Sequence, residues 1–216
     1  MSGLARQEAL IEQWYDDPDK FDRDVWPEDL PEVWQTKASG LIVTNDRVAI
    51  RSGHGVGKSA WLARRILWWG CTRYPWKVGC TAPSSGQMFD ALWSELAKWL
   101  SKMPDGLRGL FEWRAERLEW VESPAVAYAV AKTARRETPE ALAGLHSENM
   151  LFVIDEAPGV DDIIFETARG AMSTRGAKTI MTGNPTRLSG YFFDAFHKNR
   201  EHWANMKVAC TDSSRT

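Results

Sequence analysis

The feature that most constrains the fold of this 216-residue chain is a glycine-rich run between a short apolar segment and a helix-like segment. The run over residues 51–59 reads Arg-Ser-Gly-His-Gly-Val-Gly-Lys-Ser, and the preceding residues 47–51 are typical of a buried strand. In such a strand–loop–helix unit, backbone N–H groups and the helix N-terminus can wrap a polyphosphate. The run therefore predicts an α/β fold with a nucleotide held in the loop.

Two side chains at the end of this loop have the chemistry that ATP and Mg²⁺ require. Lys58 is placed to reach the β- and γ-phosphates, and the Ser59 hydroxyl is placed to bind Mg²⁺. The pattern departs from G-x-x-x-x-G-K-[ST] at its first glycine, which is Ser52 here. Gly53 and Gly55 still keep the backbone permissive, so we expect the cradle to survive. The candidate nucleotide-binding residues are Arg51, Ser52, Gly53, His54, Gly55, Val56, Gly57, Lys58 and Ser59, with a mainly positional role for His54.

A pair of carboxylates follows a second apolar strand, in the sequence Leu-Phe-Val-Ile-Asp-Glu over residues 151–156. Asp155 is placed to hold the Mg²⁺ shell through water, and Glu156 to accept a proton from the attacking water or to orient it. A glutamate beside the aspartate implies hydrolysis of the nucleotide in addition to binding. The structural alternative is an acidic strand end that faces solvent.

Thr-Gly-Asn at residues 182–184 ends a third apolar strand. Because open α/β sheets bind ligands at the carboxyl ends of their strands, we expect Asn184 to emerge beside Glu156. Asn184 is then a candidate to sense the γ-phosphate or to position water. A plain strand-to-loop turn, which Gly-Asn-Pro favours, is the alternative.

The alternation of strand and helix patterns predicts an α/β fold, with a mainly parallel central sheet flanked by helices. Residues 1–31 are acidic and rich in proline, and we expect them to form a flank with one amphipathic helix over about residues 4–15. We expect the nucleotide-binding domain over residues 32–212 and a short tail over 213–216. Predicted helices cover residues 32–44, 58–72, 83–101 and 161–173; predicted strands cover 47–51, 77–81, 151–155, 178–182 and 206–210, with an antiparallel hairpin of 117–122 and 125–131.

Composition limits the partners and the location of the chain. The formal net charge is −2, so any contact with nucleic acid must come from local basic patches. Apolar runs are too short for a membrane helix, and the first residues lack a signal-peptide pattern, so we expect a cytoplasmic protein with no membrane partner. Three cysteines without C-x-x-C spacing argue against a disulfide framework and a zinc site.

Five segments together resemble the ATPase half of phage terminase large subunits. They are Val-Trp-Gln-Thr at 33–36, the loop at 52–59, Thr-Ala-Pro at 81–83, Val-Ile-Asp-Glu-Ala at 153–157 and Thr-Gly-Asn-Pro-Thr at 182–186. The resemblance spans about residues 30–212 and implies a P-loop NTPase of the additional-strand catalytic glutamate type. It also implies that Gln35 contacts the adenine, with Trp34 as a candidate neighbour of the base. An exposed glutamine before a helix is the structural alternative for Gln35.

The same resemblance implies a packaging motor that acts on double-stranded DNA in the host cytoplasm. Such motors assemble as homo-oligomeric rings and work with a portal protein and a small terminase subunit. An arginine, often from the neighbouring subunit, completes the ATP site; Arg135 and Arg136 are the candidates, with Arg51 as a contributor in cis. The resembled family also carries a C-terminal nuclease, for which we expect no room in this chain, and hence an isolated motor domain.

Two other functions stay open at the level of the sequence. The loop and the Asp-Glu pair would also fit a superfamily 2-like helicase or translocase, which needs a second RecA-like domain. A nucleotide-switched binding module would use ATP to control assembly and would have no motor activity. Phosphate release measured with and without DNA separates that module from a motor.

Overall fold

A computed structural model of the chain describes residues 11–133, 142, 144–173 and 175–214. Within these residues, eight strands form one sheet in the order β3-β4-β5-β2-β6-β7-β1-β8. The strands are β1 Arg47–Ser52, β2 Trp76–Thr81, β3 Phe111–Trp113, β4 Arg117–Trp120, β5 Ala127–Ala131, β6 Asn149–Ile154, β7 Lys178–Gly183 and β8 Ala204–Val208.

Six neighbouring strands, from β5 to β8 in the sheet order, pair in parallel, whereas β3 and β4 pair antiparallel at one edge. Five of the six residues of β6 are buried, as expected for a strand covered on both faces. The mainly parallel sheet predicted from the sequence is thus confirmed. The antiparallel pairing of β4 with β5 confirms the predicted hairpin.

Helices cover both faces of the sheet. They are α1 Pro18–Val25, α2 Val33–Thr44, α3 Lys58–Thr72, α4 Ser94–Ser101, α5 Asp105–Arg108, α6 Asp162–Met172 and α7 Tyr191–Phe196. Every residue of α3 except Ser59 is buried, because this helix lies between the sheet and the N-terminal segment. No helix among the described residues is both long and apolar enough to span a bilayer.

The N-terminal segment packs into the main core through Trp14, Phe21, Val25 and Trp26. Residues 11–15 are helical, while residues 4–10 of the predicted amphipathic helix lie outside the described part. The division at residue 31 between a flank and the nucleotide-binding domain stays a prediction, as does the tail over residues 213–216.

Several elements differ from the sequence prediction. The helix predicted over residues 83–101 contains a π-helical stretch, Gln87–Trp93, that leads into α4. The last strand is Ala204–Val208 and not 206–210, because it is a partly exposed edge strand whose apolar pattern is weak. Strand β3, with three residues, and α7, with six, are too short for periodicity to show and were not predicted.

Candidate active site

The three segments with predicted chemistry meet at the carboxyl edge of the sheet. The glycine-rich loop leaves β1, the acidic pair follows β6, and Asn184 follows β7, which lies between these two strands. This edge is where open parallel sheets hold their ligands.

The loop depends on glycine at two positions. Gly55 and Gly57 have φ angles of 79° and 89°, a left-handed region that strains residues with a side chain. Among described residues, Glu156 is the only non-glycine residue with a positive φ, so Ser52 replaces the first glycine of the pattern without this strain. The Ser52 hydroxyl donates to the Gly53 carbonyl at 3.0 Å.

Lys58 is the first residue of α3, and its side chain is only 6% exposed. Its Nζ donates to the Gly53 carbonyl oxygen at 2.9 Å and lies 3.3 Å from Oε1 of Glu156. Two oxygen atoms of the protein, from Gly53 and Glu156, thus contact the Lys58 ammonium group where phosphate oxygens would bind.

Asp155 is buried and held by three donors. The Ser59 hydroxyl donates to Oδ2 at 2.8 Å, while the Thr182 hydroxyl and the Glu156 N–H donate to Oδ1 at 2.7 and 3.0 Å. Burial raises the pKa of this carboxyl, and the hydrogen bonds from Thr182 and Ser59 oppose the shift. Thr182 was not assigned a role from the sequence, because nothing in its strand shows which residue it faces.

The oxygens of Ser59 and Asp155 fit a magnesium ion, which prefers hard oxygen ligands and few protein groups. They lie 2.8 Å apart and already face each other. No group of three or more His, Cys, Asp or Glu side chains that could hold a metal occurs in the described part of the chain. A divalent ion here would thus rely on these two oxygens, phosphate and water.

Glu156 adopts the left-handed conformation, with φ 47° and ψ 44°. This geometry costs a residue with a side chain about 1–2 kcal/mol, and such strain concentrates at functional sites. In this conformation the Glu156 carboxylate contacts both neighbouring segments. Its Oε1 lies 3.3 Å from Lys58 Nζ, and its Oε2 accepts a hydrogen bond from the backbone N–H of Asn184 at 3.3 Å.

Asn184 lies beside Glu156, as the sequence predicted. Its Nδ2 lies 3.0 Å from Nε2 of His54 in the loop, so the two segments also meet through side chains. Two adjoining cavities of about 390 and 410 Å³ share His54, Ser59 and Glu156 in their walls. Their far walls include residues of the π-helix and α4 that sequence reasoning missed, since they lie on the polar face of an ordinary amphipathic helix: Gln87, Asp90, Ala91, Ser94 and Glu95.

Two other predicted site residues, Arg51 and Gln35, do not line these two cavities. The Arg51 guanidinium stacks over the Phe196 ring at 5.0 Å, and Arg51 lines a different cavity. Gln35 is 2% exposed, so it is not the exposed glutamine of the structural alternative. Its Oε1 accepts the Glu32 N–H at 2.9 Å and its Nε2 donates to the Gly57 carbonyl at 3.1 Å, which ties α2 to the loop. Arg135 and Arg136 lie outside the described residues.

The order of strands defines the class of protein. Strand β7 lies between β1, which carries the phosphate loop, and β6, which ends in Asp155 and Glu156. A P-loop with an inserted strand and an adjacent glutamate is the arrangement of P-loop NTPases of the additional-strand catalytic glutamate type, as predicted.

Comparison with known proteins identifies the family. The sequence model described as "Terminase large subunit, T4likevirus-type, N-terminal" matches residues 50–213. The probable terminase large subunit of Enterobacteria phage P7 is 30% identical over 154 residues, which are 69% of this chain and 31% of that protein. The chain therefore belongs to the family of phage terminase large subunits, which confirms the resemblance, and it spans under a third of this curated relative.

Solved structures show the same fold. The ATPase domain of the Thermus phage P74-26 large terminase has a TM-score of 0.66 at 16% identity, covering 88% of this chain and 84% of that one. The large terminase of a thermophilic bacteriophage, solved in complex with ADP, has a TM-score of 0.59 at 16% identity, covering 94% and 44%. The same thermophilic-phage protein was also solved with ATP-γ-S, with a TM-score of 0.56 at 16% identity, covering 85% and 44%.

Proposed function

We propose that this chain is a Mg²⁺-dependent ATPase that powers translocation of double-stranded DNA into a capsid. One observation carries the hydrolytic part: Lys58 Nζ and Glu156 Oε1 lie 3.3 Å apart in one cleft. A phosphate-binding cation and a carboxylate able to accept a proton from water therefore face the same reacting position.

ATP binding begins with the loop. Its backbone N–H groups and the N-terminus of α3 surround the phosphates, and Lys58 exchanges Glu156 and the Gly53 carbonyl for phosphate oxygens. The nucleotide complexes of the thermophilic-phage large terminase support this assignment by the similarity of fold.

Ser59 and Asp155 are the residues that would hold Mg²⁺. Bound there with ATP, the ion would neutralise charge that develops on the phosphates during transfer. Thr182 keeps one oxygen of Asp155 occupied, so the other oxygen faces Ser59 and the cleft.

Glu156 acts once Lys58 has turned to phosphate. Its carboxylate is then free of its ion pair, stays fixed through the Asn184 N–H, and accepts the proton of the attacking water. Asn184 and His54, which contact each other across the cleft, limit where that water can sit.

Family membership supports the packaging role and its partners. These are double-stranded DNA, a portal protein, a small terminase subunit and further copies of the chain in a ring, in the host cytoplasm. Arg135 or Arg136 is the proposed finger for a neighbouring site, and Gln35 remains the proposed adenine contact. Membership in the terminase family favours this motor over a superfamily 2 helicase.

A steady-state ATPase assay with and without double-stranded DNA tests this function. Glu156→Gln should lower the rate by about 10²–10⁴-fold, since it removes the proposed base, and Lys58→Ala should lose both binding and turnover. Glu112→Gln, an exposed glutamate on β3, is the matched control and should match the parent. If Glu156→Gln hydrolyses ATP at the parental rate, the role of Glu156 as the base is excluded. If the rate of phosphate release is the same with and without DNA, a nucleotide-switched binding module is favoured.

A further inference from the structure

A second cavity with basic walls lies at the amino edge of the sheet, opposite the nucleotide cleft. It lies between the start of β1, the end of α6 and the segment that joins α7 to β8, and has a volume of about 290 Å³. Its polar walls are formed by Arg47, Arg169, Ser173, Tyr191, Asn199 and His202. None of the described residues that line it is acidic, so its walls present mainly hydrogen-bond donors.

The two arginines are not neutralised by the described part of the protein. No carboxylate among the described residues lies within 4.0 Å of Arg47 or Arg169; the Arg47 guanidinium meets only the Ser173 hydroxyl, at 3.4 Å. Asp46, the sequence neighbour of Arg47, lies 3.7 Å from Lys178 instead. The cavity therefore keeps two permanent positive charges.

Tyr191 lines the cavity together with both arginines. Burial raises the pKa of its hydroxyl, and the charges of Arg47 and Arg169 both act on it in the opposite direction. Its ring is fixed by stacking on Phe165, with centroids 4.2 Å apart, and by an edge contact with Trp203 at 6.1 Å. Tyr191 is thus a rigid aromatic part of the wall, in the same cavity as the two arginines.

Two acids contact wall residues. Glu201 lies 3.5 Å from Nε2 of His202, and Asp162 accepts the backbone N–H of Tyr191 at 2.7 Å. Neither of them contacts Arg47 or Arg169, so the arginine charges remain available to a ligand.

We propose that this cavity binds a phosphate group, and that its source is the backbone of the DNA being moved. Two guanidiniums can hold phosphate oxygens through paired charge-assisted hydrogen bonds, with hydroxyl and amide donors beside them. Arg169 and His202 are exposed, so a phosphodiester reaches the site without moving its bases. The choice of DNA rests on the proposed packaging function, whereas the phosphate chemistry rests on the cavity alone.

The test uses the full chain with Arg47→Gln and Arg169→Gln combined. The matched control combines Arg108→Gln with Lys98→Gln, two exposed cations that already pair with Asp105 and Glu95 and that change net charge equally. Binding of a fluorescent DNA duplex is measured by anisotropy over a salt series. Melting temperature and DNA-independent ATPase rate are measured on the same samples.

The double variant should bind duplex at least about tenfold more weakly at low salt. The slope of log affinity against log salt should fall by about 1, as for one lost phosphate contact. The control should change affinity by less than about twofold, and the ATPase rate and melting temperature should stay at parental values. Parental affinity and slope in the double variant would overturn the DNA assignment.

In a second experiment, calorimetry measures the binding of inorganic phosphate to the parent and to the double variant at constant ionic strength. Phosphate binding that the double variant loses, with DNA affinity unchanged, would assign the site to free phosphate and overturn the DNA half. No loss in either arm would overturn the site altogether. If the parent chain binds no duplex at low salt, the proposed packaging function and the DNA assignment are both contradicted. The calorimetric experiment with inorganic phosphate then still tests whether the cavity binds phosphate.

Discussion

Helix α3 brings basic side chains to two carboxylates in different surroundings. At its start, Lys58 faces Glu156 across 3.3 Å, and the glutamate side chain is 24% exposed to the cleft. Two turns later, Arg65 pairs with Asp22 of α1, and neither side chain is more than 1% exposed. The Lys58–Glu156 pair is open to the cleft, so a ligand can take the place of the glutamate and the pair is exchangeable. The Arg65–Asp22 pair is sealed in the core, where no ligand can replace either partner.

The sealed pair also organises its neighbours. Arg65 donates to the Ser39 hydroxyl at 2.9 Å, and Trp61 donates to the same oxygen at 3.0 Å, so α1, α2 and α3 meet at one point. The difference teaches that charge on α3 supports the chemistry at the start of the helix and the fold at its middle.

Breaking the sealed pair should have the largest effect on stability. Asp22→Asn leaves Arg65 buried without its counter-charge, and we expect the free energy of unfolding to fall by about 3–5 kcal/mol. Asp105→Asn, in an exposed pair with Arg108, should change it by no more than about 1 kcal/mol. Urea titrations measure both variants; equal effects would contradict the distinction between sealed and exposed pairs.

A smaller change tests the buried hydrogen bond that Thr182 donates to Asp155. Thr182→Val removes the hydrogen bond to Oδ1 of Asp155, and we expect a loss of about 1–2 kcal/mol of stability together with weaker Mg²⁺ binding. Thr179→Val is the control on the same strand, since the Thr179 hydroxyl is buried with no partner in the described structure. It should be neutral or slightly stabilising; a Thr179 effect as large as that of Thr182 would show that packing, not the hydrogen bond, matters.

The pH dependence of Asp155 should differ in sign for folding and for Mg²⁺ binding. Burial raises its native pKa above the usual 3.8, so its stabilising contribution is full below 3.8 and is lost as pH rises through the native pKa. Asp155→Asn, which resembles the protonated form, should melt higher than the parent at neutral pH, with a difference that shrinks on acidification. As the pH falls over the same range, the Mg²⁺ concentration needed for a half-maximal ATPase rate should rise in the parent, because protonated Asp155 holds the ion less well. A melting difference that grows on acidification would refute this sign.

Sequence reasoning succeeded where the chemistry is local. The loop, Lys58, Ser59 and the Asp-Glu pair are contiguous motifs, so their placement at one sheet edge followed from strand order. The roles proposed for them stay predictions until the variants are measured.

It failed where contacts join distant segments. The bond from Thr182 to Asp155 spans 27 residues, and that between Asn184 and His54 spans 130, so no pattern reveals them. Gln35 is a different case: Glu32 and Gln35 have the spacing of a capping box, a signal that the sequence contains. The basic cavity at the amino edge draws its residues from β1, α6 and α7, and only the fold brings them together.

The most direct test of the exchangeable pair measures nucleotide affinity and turnover of Glu156→Gln together. Removing the carboxylate frees Lys58 from its protein partner, so ATP should bind up to about fivefold more tightly while hydrolysis is lost. Equilibrium titration with a fluorescent ATP analogue, beside phosphate release on the same samples, gives both quantities. Weaker nucleotide binding with hydrolysis retained would contradict the account of Lys58 and Glu156 as a pair that the nucleotide separates.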